Sequence, residues 1–337
     1  MPFDLQDVGH RLQDCGMLST RPQPQFWLFR DAELSGSTAE LRQLHAAGTL
    51  TRLCPGVYLR SSEWKALQFD DPYRFRVLAA AQKLPRSTQF SHDSAAVMWG
   101  LPSLGSWSGE IHVLAERASG GRSQSRVRRH CVGEEAGAPE IDDLRVTSLA
   151  RTLVDTGCTS SFLRAVGMID AGLRTPKEGE LRHQLGATAS TKAELLGLLD
   201  SLLPRRGSVK ARKTIEFGDG RSDSLLESLS RGQFFLLGIP EPELQVPFFD
   251  ENGFIGNVDF YWPHLGLIGE ADGDLKYGGA NSPSGLPASD VVKAEKHRED
   301  RLRRVAKGFT RWGWNIALNR HHLARHVRPF GLIGRRG

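Results

Sequence analysis

The stretch from Gln245 to Tyr277, QVPFFDENGFIGNVDFYWPHLGLIGEADGDLKY, constrains what this chain can fold into more than any other. Gln245 to Asp250 is built on β-favouring residues, and the Glu251-Asn252-Gly253 corner supplies the positive φ of a tight hairpin. Phe254 to Trp262 reads as a second strand with Asp259 near its end. Pro263 and His264 break the run, and Leu265 to Ala271 reads as a third strand, apolar until Glu270. Two neighbouring strands ending in carboxylates can share one cation, which is how a hard, oxygen-seeking ion such as Mg²⁺ is held. Asp272 and Lys276 follow at once and add a further acid and a cation to the same corner.

The flanks extend the pattern. Ser222-Asp223-Ser224 can cap a helix running through Leu236 and carrying Glu227, and a second helix is expected from about Ser289 to Lys307, with Glu295 and Lys296 on it. A strand near Thr310 to Leu318 follows, giving the order helix, three strands, helix, strand. With Asp259, Glu270-Ala271-Asp272-Gly273 and Lys276-Tyr277 in place, this last third of the chain resembles the PD-(D/E)XK nuclease superfamily, in the branch related to very-short-patch repair endonucleases. The resemblance implies a restriction-endonuclease-like core and hydrolysis of phosphodiesters. Asp259 and Glu270 would ligate Mg²⁺ or Mn²⁺, and Glu227 would ligate the metal or orient a ligating water. Asp272 would complete the shell and Gln245 would hydrogen-bond within the site. Lys276 would orient the attacking water or stabilise the phosphorane. The chain departs from the family at one position: the lysine expected two residues after Glu270 is Asp272. Either the catalytic lysine has migrated to Lys276, or the site has lost its activity.

Composition decides little until its distribution is considered. Lys and Arg number 44 against 39 Asp and Glu, but from Arg301 to Gly337 there are ten basic residues and no acidic one, a segment that favours phosphate or a solvated tail. Cys15, Cys54, Cys131 and Cys158 form no CxxC pair and no zinc spacing, so free thiols in a reducing cytoplasm are expected. No apolar run approaches the length of a membrane span.

The first sixty residues have their own organisation. Ser35-Gly36-Ser37-Thr38 reads as a turn into a helix with Leu41 and Leu44 on one face, ending at Gly48. Leu50 to Arg60 reads as two short strands about a Pro55-Gly56 turn. Helix, turn, helix and hairpin make a winged helix, and the line resembles the N-terminal domain of AbiEi-type antitoxins. That resemblance implies a recognition helix in the DNA major groove, with Ser37, Thr38, Arg42, His45 and Arg60 as nucleic-acid-binding candidates. Packing against another domain is the plainer use of the same module.

From about Asp70 to Arg174 a helix is expected over Phe75 to Leu84, and another after Phe90, stopped by Gly100 and Pro102. Strands are expected over Glu110 to Ala115 and Arg126 to Val132. Val146 to Asp155 resembles the second domain of AbiEi-type proteins. His92 and Asp93 have no partner at a telling spacing and read as a hydrogen-bonded structural pair. Residues 176–221 read as a linker with one helix, Lys192 to Leu203. The domains expected are therefore 1–65, a winged helix; 66–175, a mixed α/β middle domain; the linker 176–221; and 222–337, the nuclease-like domain. The fold class is α/β in these units and α+β overall. Two functions stay open: a metal-dependent DNA endonuclease guided by its winged helix, or a DNA-binding regulator of antitoxin type with an inert nuclease-like domain. DNA is the expected partner in both. A cognate toxin belongs to the second, and a homodimer would suit palindromic cutting.

Overall fold

The computed structural model describes residues 23–116, 126–272 and 288–334. It is an α+β chain that divides into two compact units, Met1–Lys83 and Leu84–Gly337.

In the first unit, β1 (Trp27–Leu28) leads into α1 (Phe29–Leu34), α2 (Thr38–Ala46), and the hairpin β2 (Leu50–Cys54) and β3 (Val57–Arg60), with sheet order β1-β3-β2. This is the helix, turn, helix and hairpin order read from the sequence. Gly48, at φ 74°, ends α2 by letting the Thr49 amide turn back to the Leu44 carbonyl at 3.0 Å. Ala32, Leu41, Leu50 and Tyr58 form its small core, with Trp27, Phe29 and Leu44 packed on it. The unit runs past residue 65: α3 (Ser61–Ala66) and α4 (Asp71–Ala81) belong to it, and Cys54 Sγ lies 3.6 Å from the Ala79 carbonyl. Helix α4 starts four residues before the expected Phe75 because Pro72 pre-sets its first turn.

The second unit begins with α5 (His92–Met98), the parallel pair β4 (Ile111–Leu114) and β5 (Val127–His130), and the short antiparallel pair β6 (Glu140–Ile141) and β7 (Leu144–Arg145). Helices α6 (Leu149–Thr159) and α7 (Phe162–Leu173) follow. The segment read as a linker with one helix holds three: α8 (Leu181–Gln184), α9 (Lys192–Ser201) and α10 (Ser208–Phe217). Thr191 and Glu194 form a reciprocal capping box on α9, while α10 buries Ala211 and Ile215 against the preceding helices. Its basic residues had masked this apolar stripe.

The chain then runs through α11 (Leu225–Leu237), β8 (Glu243–Asp250), β9 (Gly253–Trp262), β10 (Leu267–Ala271), α12 (Ala288–Val305) and β11 (Gly308–Trp312), with α13 (Trp314–Ala317) and α14 (Arg320–Val327) behind. The sheet order is β11-β10-β9-β8, antiparallel except for the parallel β10–β11 pair. The helix, three-strand, helix, strand order of the sequence reading is thus present. Its last strand stops at Trp312, because Gly313 turns the chain into α13 where a strand to Leu318 was expected. Cys54, Cys131 and Cys158 are free thiols; Cys15 lies outside the described residues. Among the described residues no helix is long and apolar enough to cross a membrane.

Both faces of this sheet are covered, which is why its strands are nearly continuous in apolar residues. On one face Leu244, Phe260, Trp262, Leu267 and Trp312 pack with residues of α11, α13 and α14. On the other, Ile255, Val258, Ile268 and Phe309 pack with Leu302 of α12. The Phe234 ring of α11 meets Phe260, Trp262 and Trp312 edge-on at 5.4–5.6 Å. Gly269, beside Glu270, sits between two indoles: a Cβ there would come within 2.8 Å of Trp312 and 2.9 Å of Trp262. Neither ring can retreat from a fully buried slot, so Gly269→Ala is expected to cost about 1–3 kcal/mol by overpacking, read as a lowered Tm in thermal unfolding.

Candidate active site

Four elements bring polar groups to the ends of β9 and β10. Ser224 caps α11, its hydroxyl accepting from the Glu227 amide at 3.2 Å. Glu227 returns the favour, its Oε1 accepting from Ser224 Oγ at 2.7 Å and its Oε2 from the Asp223 amide at 2.8 Å. The cap fixes Glu227 in the first turn of the helix, buried and turned toward the sheet. On the sheet, Asp259 Oδ2 accepts from the Ala271 amide at 2.8 Å, a bond from the neighbouring strand that ties the two carboxylate-bearing strand ends together.

Gln245 links helix and sheet. Its Nε2 donates to Glu227 Oε2 at 3.0 Å and to Asp259 Oδ1 at 3.3 Å. Positions 245 and 259 fall opposite each other between the Leu244–Phe260 and Val246–Val258 pairs, yet Gln245 has a φ of 53°, in the left-handed region disfavoured for a side chain of this kind. That conformation within β8 puts a neutral amide between two carboxylates. Backbone strain of this sort collects at functional sites.

Burial is the first cause that raises the Asp259 carboxyl, to about 7, and the charge of Glu227 is the second, with Glu270 adding a smaller push. Burial also raises Glu227, against the bonds from Asp223, Ser224 and Gln245. Two acids that meet only neutral donors among the described residues share a proton more readily than they share two negative charges.

Glu270 is held differently. Arg298 of α12 donates to Oε1 at 2.6 Å and to Oε2 at 3.3 Å, and Arg311, its register partner on β11, donates to Oε2 at 2.7 Å. The same two arginines reach Glu295, and Arg311 lies 3.4 Å from Asp272 Oδ2. Burial works against these guanidinium charges, but Glu270 and Glu295 outweigh it and hold both arginines above their ordinary range. Both oxygens of Glu270 are thus engaged by cations, where the sequence reading had it free for a metal. Asp272 faces Arg311, and Lys276 lies outside the described residues.

Hard oxygen donors at Glu227 and Asp259 fit Mg²⁺ or Mn²⁺, since a divalent ion would relieve the repulsion that raises Asp259. Glu270 fits only if Arg298 or Arg311 gives way. The arginines were missed in the sequence because the motif directs attention to its own lysine. The available signal was Arg311, which falls level with Glu270 once two parallel strands are aligned. Glu295 belongs to this network, whereas Lys296 on the same helix is exposed.

In the first unit, Ser37 precedes α2 with its hydroxyl 2.8 Å from Ser35 Oγ, and Thr38 opens the helix. Thr38, Arg42 and His45 follow helical spacing down one side; Arg42 and His45 are exposed, with Arg42 lying 5.6 Å over the Phe29 ring. His45 Nδ1 is 3.1 Å from the Leu50 carbonyl, and its ring meets Tyr58 edge-on at 5.3 Å. Arg60 is exposed at the end of β3. The pair expected at His92 and Asp93 does not form: Asp93 accepts from Arg164 at 2.8 Å and the Ser108 amide at 3.2 Å, while His92 turns to Ser91.

The Asp259 shift has a stability consequence. Its folded pKa lies above its unfolded value of about 3.9, so the folded state is favoured while the group is protonated and loses that advantage as pH rises from about 4 to about 7. Asp259→Asn removes the charge. Its Tm should match the parent near pH 4 and exceed it by a few degrees at pH 8, about 1–3 kcal/mol, in thermal unfolding without divalent metal.

No protein-family model matches the chain. Over 124 residues it is 35% identical to the uncharacterized proteins MT2308 and Rv2248 of two Mycobacterium tuberculosis strains, a span covering 37% of this chain and 41% of each relative. It therefore spans about two fifths of the length of these curated relatives. The crystal structure of the RV2827C protein from Mycobacterium tuberculosis aligns with 67% of this chain and 84% of its own, at 13% identity and a TM-score of 0.34.

Proposed function

We propose that this chain is a metal-dependent DNA endonuclease of the PD-(D/E)XK type, guided to DNA by its N-terminal winged helix. The observation that carries the reading is the convergence of Glu227 and Asp259 on one amide, Gln245 Nε2, at the end of a sheet with the superfamily's element order. Burying two carboxylates against a neutral donor costs stability. A cation site explains why such an arrangement would be kept.

Glu227 and Asp259 would hold Mg²⁺ or Mn²⁺, which supplies charge neutralisation at the scissile phosphate and an acidified water when bound. The chain's own residues do the rest. Gln245 fixes the separation of the two acids, and the Ala271 amide holds the Asp259 carboxylate against the end of β10. Arg298 and Arg311 place two guanidinium groups at Glu270, where a phosphate oxygen could compete for their free donors. Arg311 thereby offers the cation that the family's lysine would supply at position 272, with Lys276 as the other candidate. On the first unit, Thr38, Arg42 and His45 would face the major groove while Arg60 meets backbone phosphate.

A second reading rests on a specific observation: Glu270 is saturated by arginines. On that reading the domain is an inert scaffold and the chain is a DNA-binding regulator of antitoxin type, with a cognate toxin as further partner.

Supercoiled plasmid incubated with the full chain separates the two. The nuclease reading predicts nicking that requires Mg²⁺ or Mn²⁺ and falls at least ~100-fold in Asp259→Ala and Glu227→Ala, with DNA affinity in an electrophoretic shift unchanged. Binding without nicking in the parent protein, weakened by Arg42→Ala and indifferent to Asp259→Ala, supports the regulator instead.

A further inference from the structure

Another group of side chains, used by neither reading, lies in the middle of the chain. His92 opens α5, and His112 and His130 lie on the adjacent parallel strands β4 and β5. One ring nitrogen from each lies within 4.8 Å of the others. His112 Nδ1 and His130 Nε2 are 2.9 Å apart, and the His92 and His130 rings stack at 3.6 Å between centroids. His92 is 2% and His112 9% exposed. Three imidazoles with converging nitrogens leave lone pairs facing one another, and a hydrogen-bonded pair satisfies only two of the three.

Further observations point to a ligand. His92 has a φ of 49° at the start of a helix, a left-handed conformation that turns its ring into the cluster. Behind it, Ser91 Oγ lies 2.9 Å and Asp155 Oδ2 3.8 Å from His92 Nδ1, the side from which a carboxylate orients a ligating imidazole and frees its other nitrogen. Asp155 Oδ2 is itself buried without a hydrogen-bond partner, while Oδ1 takes Arg151 at 2.9 Å and Arg205 at 2.6 Å. Nearby Arg128 and Arg164 are neutralised by Glu110 and Asp93, each at 2.8 Å.

We propose that His92, His112 and His130 form a binding site for a divalent transition-metal ion of the zinc class, with a fourth position open to water or an anion. Imidazole nitrogen selects Zn²⁺, Co²⁺ or Ni²⁺ over Mg²⁺, which sets this site apart in chemistry from the carboxylates of Glu227 and Asp259. A Zn–N bond of about 2.0–2.1 Å requires ligand nitrogens about 3.3 Å apart, so the His112–His130 contact opens by a few tenths of an ångström and the widest separation closes by about 1.5 Å. Side-chain torsions supply such movements without rebuilding the strands. Burial, then neighbouring imidazoles and arginines, hold His92 well below its ordinary range. Burial and arginines hold His112 at about 4; burial, His112 and arginines do the same for His130. All three are neutral at pH 7, the form that ligates metal.

The test is titration of Co²⁺ into the full, chelator-treated chain, read by ligand-field absorption and by elemental analysis after gel filtration. With excess Mg²⁺ present to occupy the carboxylates of Glu227 and Asp259, one equivalent of Co²⁺ with four-coordinate spectra, displaced by Zn²⁺, is expected. His112→Ala and His130→Ala should each weaken binding at least ~100-fold, while Asp259→Asn leaves the spectrum unchanged. His130→Cys should retain the metal and add a thiolate-to-cobalt charge-transfer band, which keeps the test decisive if an alanine variant fails to fold. A folded parent protein that takes up no Co²⁺, or binding that survives both alanine changes, overturns the proposal and leaves a hydrogen-bonded imidazole cluster.

Discussion

A buried carboxylate must find a partner, and the way this chain meets that demand organises its second unit. Asp170 on α7, fully buried, accepts at both carboxylate oxygens from one nitrogen, Nη2, of Arg231 on α11, each at 2.8 Å, and this pair joins the helix that carries Glu227 to the helices before it. Asp155 is held by Arg151 and Arg205, Asp250 by Arg301, and Glu270 by Arg298 and Arg311. Removing one partner from such a pair leaves an uncompensated buried charge, so these contacts fix which helix lies against which strand. Glu227 and Asp259 break the rule. They lie together and face only neutral donors among the described residues. That exception marks the candidate site.

The element order of the C-terminal part was legible because its signals are local. A positive-φ corner at Asn252-Gly253, a break at Pro263 and a serine cap before Glu227 each act within a few residues. The helix, turn, helix and hairpin order of the first unit was legible for the same reason, through Gly48 and Pro55-Gly56. What the sequence concealed depends on contacts distant along the chain. Arg311 reaches Glu270 across 41 positions, and only the parallel register of β10 and β11 brings them level. The strand expected to Leu318 failed at Gly313, where a glycine before Trp314 permits a helix start that apolar periodicity does not announce.

The helices of residues 176–221 were read as a linker because Pro176, the Gly-Ala-Thr-Ala-Ser run at 186–190 and Pro204-Arg-Arg-Gly207 punctuate the segment and outweighed a short apolar stripe. The histidine group was illegible for a different reason. His92, His112 and His130 are spaced too widely for any metal motif, and two of them meet only because β4 and β5 pair in parallel with His112 opposite Arg128, two residues from His130. Asp93, adjacent to His92 in sequence, drew attention to a pairing that the helix start directs elsewhere.

On the function proposed above, Glu227 and Asp259 are a carboxylate pair that takes up a cation. A pH titration of the Asp259 carboxyl carbon by NMR in the full chain, with and without Mg²⁺, decides whether they do. The expected midpoint is near 7 without metal and falls by more than one unit when Mg²⁺ is added. A midpoint near the ordinary value of about 4, or one near 7 that Mg²⁺ does not move, would contradict it.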